Sequence, residues 1–220
     1  MVVIRALVFD FDGLILETET PAYRAWVEIY REFGHELPKE LWLEYIGREA
    51  SWFDALAYLE GLVGPRDDRD AIQVRRDARK TELVMAVAET GGLRALLTDA
   101  KTRRLRLAVC SSSTPKWVLG HLERLDLRAF FDHIQCRDRP ELRAKPAPDL
   151  YLAACAGLGV RPEEAIAFED SRNGVRAAQA AGMRCVVVPN ELTAATDLTG
   201  ADHHFESLAT VSLRTLLDAS

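Results

Sequence analysis

The chain has 220 residues, of which 48% are apolar and 28% charged, and it carries a formal net charge of −6. That length suffices for one α/β core with a small inserted domain, and the acidic balance excludes a broad basic surface for nucleic acid or anionic membrane. No apolar run approaches the ~18 residues of a membrane span, and the N-terminus "MVVIRALVFD" lacks the pattern of a signal peptide and reads as a strand.

The first element is the run "ALVF", which ends directly against Asp10 and Asp12. In extended chain these two carboxylates project to the same side, and Gly13 then permits a sharp turn. From about Thr20 to Glu89 the signals are helical only. Thr20 is expected to cap a first helix with Pro21 at its first position, and Ala22, Trp26, Ile29, Tyr30 and Phe33 follow at helical spacing. Ser51 is expected to cap a second helix, with Phe53, Leu56, Leu59 and Leu62 on one side and Gly64-Pro65 closing it. A third, rich in Arg and Asp, runs from about Asp68 to Ala88.

Near Gly91-Gly92 the pattern returns to strands alternating with helices. "LRLAVC" precedes Ser111, "AIAF" precedes Glu169, and "CVVV" precedes Pro189; helical patterns occupy Pro115 to Leu125 and Gly174 to Ala181. Short apolar runs bounded by turn signals suit strands buried on both faces. Strand alternating with helix gives a doubly wound parallel sheet, in which ligands bind beyond the carboxyl ends of the strands. The expected organisation is therefore an α/β core of residues 1–17 and 90–220 with an all-helical cap of residues 18–89. Cys110, Cys136, Cys155 and Cys185 form no C-x-x-C pair, so neither a zinc site nor a disulfide framework is expected and a reducing cytoplasm fits. The five histidines, with no i,i+4 ligand pair, read as structural or surface residues.

If the four runs are neighbours, their ends gather Asp10, Asp12, Ser111, Glu169 and Asp170 into one cleft. Lys145, which precedes Pro146 and so sits in extended backbone, supplies the cation such a cleft lacks. Several carboxylates together require a counter-charge or protonation, and Mg2+ with oxygen ligands meets that need. Asp10 and Asp170 can hold it, with the Asp12 carbonyl as a third ligand. Asp10 can then attack a phosphoryl group, Ser111 and nearby backbone N–H groups can donate to its oxygens, and Asp12 can move the protons.

The order of "DFDGLILETE", "VCSSS", "AKPAPDLY" and "FEDSRNG" resembles the haloacid dehalogenase-like superfamily, in its phosphatase and β-phosphoglucomutase-like branch with a helical cap. The resemblance covers nearly the whole chain. It implies Asp10 as nucleophile, Asp12 as acid/base and Ser111, with Ser112 beside it, as phosphate ligands. Lys145 would stabilise the phosphoryl group. Asp10, Asp12 and Asp170 would carry Mg2+, with Glu169 helping directly or through water. The second aspartate, Asp12, favours phosphoryl over carbon–halogen chemistry. Glu17 departs from the aspartate more common there, and Gly91-Gly92 replaces the usual Pro-Gly. In the cap, Arg48 and Arg76 are the candidate substrate contacts, with Arg75, Arg79 and Lys80 weighed beside them.

The expected function is a Mg2+-dependent phosphatase acting on a small phosphorylated metabolite such as a sugar phosphate, as a monomer. A phosphomutase using the same intermediate is the enzymatic rival. A non-catalytic phosphoacceptor module stands third, disfavoured by the D-x-D at the first strand. No G-x-G-x-x-G follows that strand, which sets aside a dinucleotide-dependent oxidoreductase.

Overall fold

A computed structural model describes residues 2–46 and 53–218. Four of its strands are the four apolar runs: β1 (Ala6–Phe9), β2 (Arg106–Ser111), β4 (Ala165–Glu169) and β5 (Arg184–Val187). Two shorter strands, β3 (His133–Cys136) and β6 (His203–His204), complete a sheet of order β3-β2-β1-β4-β5-β6 in which every pairing is parallel. The four runs are thus contiguous at the centre, and the two strands that the apolar pattern does not announce are the edges.

The strands sort their side chains by alternation. Leu7, Phe9, Leu107, Val109, Ile166, Phe168 and Val186 face one layer, made by α5 (Leu93–Thr102), α6 (Pro115–Arg124) and α9 (Leu213–Asp218). Ala6, Val8, Ala108, Cys110, Ala165, Ala167, Cys185 and Val187 face the other, made by α7 (Asp149–Leu158) and α8 (Arg172–Ala180). The first face is built of Leu, Phe, Val and Ile, with Phe9 stacked on Phe168 at 4.7 Å. The second is mostly Ala, Cys and Val, side chains short enough for α7 and α8 to approach closely. Cys110 and Cys185 are free and buried and serve there as small apolar residues.

The stretch after β1 is helical: α1 (Glu19–Glu32), α2 (Lys39–Tyr45), α3 (Ala55–Val63) and α4 (Arg69–Met85). Trp26, Ile29, Tyr30, Trp42, Leu56, Leu59 and Ile72 form a third apolar cluster, closed by Tyr30 Oη donating 2.5 Å to the Ala55 carbonyl. The chain leaves the sheet and returns to it along paired paths. Leu16 bridges Glu89, and the Thr90 N–H donates 3.0 Å to the Ile15 carbonyl.

Helix starts differ from the sequence reading in instructive ways. Helix α1 begins one residue before Thr20, and Thr18 at its cap position makes no side-chain cap. Glu17 does this instead, its Oε1 accepting the N–H groups of Glu19 (2.9 Å) and Thr20 (3.0 Å). Asp54 caps α3 by accepting from Leu56 and Ala57; Ser51 lies outside the described residues. Leu62 is 45% exposed rather than packed with Leu56 and Leu59, and α2 is a short helix that the sequence reading does not contain.

Candidate active site

Register explains the site. Phe9 lies opposite both Val109 and Phe168, so one step further along the strands Asp10 stands level with Cys110 and Glu169. The Asp10 N–H continues the ladder to the Phe168 carbonyl at 2.9 Å. Lys145, 2% exposed on the loop before α7, reaches across all three positions. Its Nζ donates to Asp10 Oδ1 (2.6 Å), Glu169 Oε1 (2.6 Å) and the Cys110 carbonyl (3.0 Å), which satisfies the three donors of an ammonium. Tyr151, from α7, donates its hydroxyl to the same Glu169 oxygen at 2.5 Å.

Asp10, Glu169 and Asp170 are buried, and each offers an oxygen within 4.8 Å of the others. With all three ionised, Lys145 leaves two negative charges uncompensated. Burial, only partly offset by Lys145 and reinforced by Glu169, pushes the Asp10 carboxyl up to about 7. Burial, then the charges of Asp10 and Glu169, push Asp170 well above the carboxylate range. Burial alone would lower the Lys145 ammonium, but Asp10 and Glu169 outweigh it and hold it well above its ordinary value. Asn190, just past β5, donates to Asp170 Oδ2 at 2.7 Å, whereas Asp170 Oδ1 is buried with no hydrogen-bond partner among the described residues. An orphaned carboxylate oxygen inside an over-acidic cluster is a fit for a hard divalent cation. Two glycines make room for these groups. A Cβ on Gly13 (φ +85°) would lie 2.2 Å from Asp170 Oδ2, and one on Gly174 would lie 1.9 Å from the Glu169 carboxyl carbon.

Asp12 stands apart from this cluster and is tied to the opposite wall. Its Oδ1 accepts from Thr18 Oγ1 (2.8 Å) and Trp117 Nε1 (2.8 Å), and its Oδ2 accepts from Ser113 Oγ (2.7 Å) and Ser111 Oγ (3.2 Å). The Ser111 hydroxyl also accepts the Ser113 N–H at 3.0 Å, and Ser112 Oγ accepts the Lys145 N–H at 3.3 Å.

These groups open onto a cavity of about 640 Å³ between the strand ends and the helical stretch. Arg76 and Lys80 of α4 line it, with Gln73, Trp26 and Arg137. The Arg76 guanidinium lies 4.8 Å from the Trp26 ring centroid. Arg75 and Arg79 instead pair with Glu32 (2.9 Å) and Glu28 (2.8 Å) where α4 packs on α1. Arg48 lies outside the described residues. The sequence-derived residues Asp10, Asp12, Ser111, Ser112, Lys145, Glu169 and Asp170 therefore gather at one end of the sheet. Tyr151, Trp117, Ser113, Thr18 and Asn190 were not among them. Asn190 had a signal, since it closely follows the "CVVV" run as the acidic residues follow theirs; Tyr151 stands within the "AKPAPDLY" stretch and Trp117 within the Pro115 to Leu125 helical pattern, where residue type alone marks neither.

Comparison with known proteins gives four findings of the same kind. The haloacid dehalogenase-like hydrolase family profile matches residues 4–182. A candidate phosphatase of Bacillus subtilis, YhcW, is 43% identical over 215 residues, covering 98% of this chain and 97% of that protein. Among solved structures, CbbY of Rhodobacter sphaeroides in complex with phosphate superposes with a TM-score of 0.74 at 30% identity, over 98% of this chain and 99% of that one. A candidate β-phosphoglucomutase of Thermotoga maritima superposes with a TM-score of 0.78 at 27% identity, over 99% and 100% of the two chains. Among the described residues no helix is long and apolar enough to cross a membrane.

Proposed function

Because the chain belongs to the haloacid dehalogenase-like hydrolases, in their phosphatase and phosphoglucomutase-like branch, we propose that it hydrolyses a small phosphorylated metabolite, such as a sugar phosphate, through an aspartyl-phosphate on Asp10. It is a phosphoric monoester hydrolase by this kinship. The observation that carries the finer reading is the buried Asp10 carboxylate, gripped by Lys145 at 2.6 Å and facing the cavity.

In this reading Asp10 attacks phosphorus through a carboxylate oxygen, and the bond from phosphorus to the ester oxygen breaks. Asp12 gives its proton to the departing alkoxide. Asp12 then takes a proton from water, whose oxygen attacks the acyl phosphate, releasing phosphate and restoring Asp10. Lys145 and the N–H groups around Ser111 and Ser112 balance charge on the transferring oxygens. Glu169 and Tyr151 hold Lys145 in place. Asp10, Asp170 and the Asp12 carbonyl would hold Mg2+, with Glu169 assisting directly or through water. The ion would neutralise the cluster and the phosphoryl charge.

The helical stretch, residues 18–89, serves in this reading as a cap over a core of residues 1–17 and 90–220, with Arg76 a substrate contact. The same groups would serve a phosphomutase, a reading favoured by the likeness to the Thermotoga structure. Phosphate release is to be measured on a panel of small phosphate esters, with and without Mg2+, for the wild type and Asp10→Asn. Mg2+-dependent release that the variant loses is expected. Release that survives in Asp10→Asn refutes the nucleophile, and isomerised hexose phosphate in place of free phosphate makes the protein a mutase.

A further inference from the structure

One indole joins the proposed acid/base to the helical stretch. Trp117 lies in the first turn of α6, where Pro115 and the Thr114 cap fix the entry of the helix. Its Nε1–H donates 2.8 Å to Asp12 Oδ1. The His121 ring one turn on meets it edge to face at 4.3 Å. Lys80 Nζ, arriving from α4, sits 4.4 Å from its ring centroid. The residue is thus held by its own helix, by the end of β1 and by the far wall of the cavity.

The four partners of Asp12 are chemically unequal. Thr18, Ser111 and Ser113 are hydroxyls, which can turn to donate or accept, whereas an indole N–H only donates. An acid/base carboxyl must carry a proton in one half of its cycle and lack it in the other. The donor-only partner on Oδ1 keeps that oxygen as an acceptor throughout. Oδ2, facing two hydroxyls that can reverse, is left as the oxygen that exchanges. A cation over the indole ring polarises it and strengthens the N–H as a donor.

We propose that Trp117 is a positioning residue that orients Asp12 for proton transfer, with Lys80 seated on its ring. This rests on the reading of Asp12 as acid/base. The test compares kcat/KM for an alkyl ester, ribose 5-phosphate, with that for an aryl ester, p-nitrophenyl phosphate. An alkoxide needs a proton in order to leave; a nitrophenolate does not. Asp12→Asn sets the benchmark and should lose far more alkyl than aryl activity. Trp117→Phe keeps the ring and removes the N–H. It should lower alkyl kcat/KM by about tenfold and aryl kcat/KM by less than about twofold, a fraction of the ~100-fold or more that a general acid supplies.

Both rates come from one preparation, so any unfolded fraction cancels in their ratio. An unchanged ratio in Trp117→Phe, beside a changed one in Asp12→Asn, overturns the role of Trp117 alone. An unchanged ratio in Asp12→Asn overturns both readings.

Discussion

Replacing Lys145 by Met removes the cation at the centre of the cluster while keeping a side chain of similar length. In the wild type that ammonium makes ion pairs at 2.6 Å with Asp10 and Glu169 and is 2% exposed. Removing one member of a buried charge pair costs about 3–5 kcal/mol, because the remaining charge is left without compensation. Here the surviving carboxyls can limit that cost by taking up protons. Asp10 and Asp170 already bind protons more tightly folded than unfolded, and the variant strengthens that bias. Each additional proton held by the folded state makes stability fall as pH rises, by ~1.4 kcal/mol per unit between the unfolded and folded pKa values. Urea unfolding in the presence of a chelator should therefore show a deficit of about 3–5 kcal/mol at pH 7.5 that narrows at pH 5. A deficit below about 1 kcal/mol that is the same at both pH values would mean that no ion pair of this kind exists in the folded protein.

Two further outcomes follow from the same geometry. Binding of Mg2+ must displace the proton that Asp10 holds below about 7, so calorimetric affinity should weaken by about tenfold per pH unit per proton below that value; equal affinity at pH 5.5 and 7.5 refutes the assignment. Glu17→Ala strips the acceptor from the Glu19 and Thr20 N–H groups and should destabilise the protein by ~1 kcal/mol, as loss of a helix cap does. A Tm unchanged from wild type would show that water replaces the carboxylate there.

The four central strands were legible because each is buried on both faces over most of its length and so is a mostly apolar run, with charges such as Arg106, Glu169 and Arg184 only where a strand begins or ends. The edge strands were not. β3 reads "HIQC", with His133 and Ile134 only half-buried, and β6 is two histidines; each pairs on one side only, so neither has to be apolar. The same asymmetry governs the site. Asp10, Asp12, Glu169 and Asp170 announce themselves as charges that end apolar runs, and Lys145 by the proline after it. Residues that orient them, such as Tyr151, Trp117 and Thr18, belong by composition to helices or turns, and only the closed fold brings their polar tips to a carboxylate. Along α4, Arg76 is the candidate substrate contact in the sequence, with Arg75, Arg79 and Lys80 weighed beside it. The helix turns two of them toward α1 and two toward the cavity, a distinction made by packing rather than by residue type.

The paired exit and return of the chain at Ile15–Leu16 and Glu89–Thr90 gives the protein a particular freedom. The sheet is stitched shut across that junction, so from its side everything between is a single closed excursion. The entropy of closing such an excursion grows only with the logarithm of its length, about 0.6 kcal/mol for each doubling. Helices can be lengthened, traded or re-lined there at small expense to the strands, while Asp10 and Asp12 keep their register upstream of the stitch. On the proposed reading of that stretch as a cap, a lineage built this way can change which molecule it recognises without rebuilding how it breaks the bond.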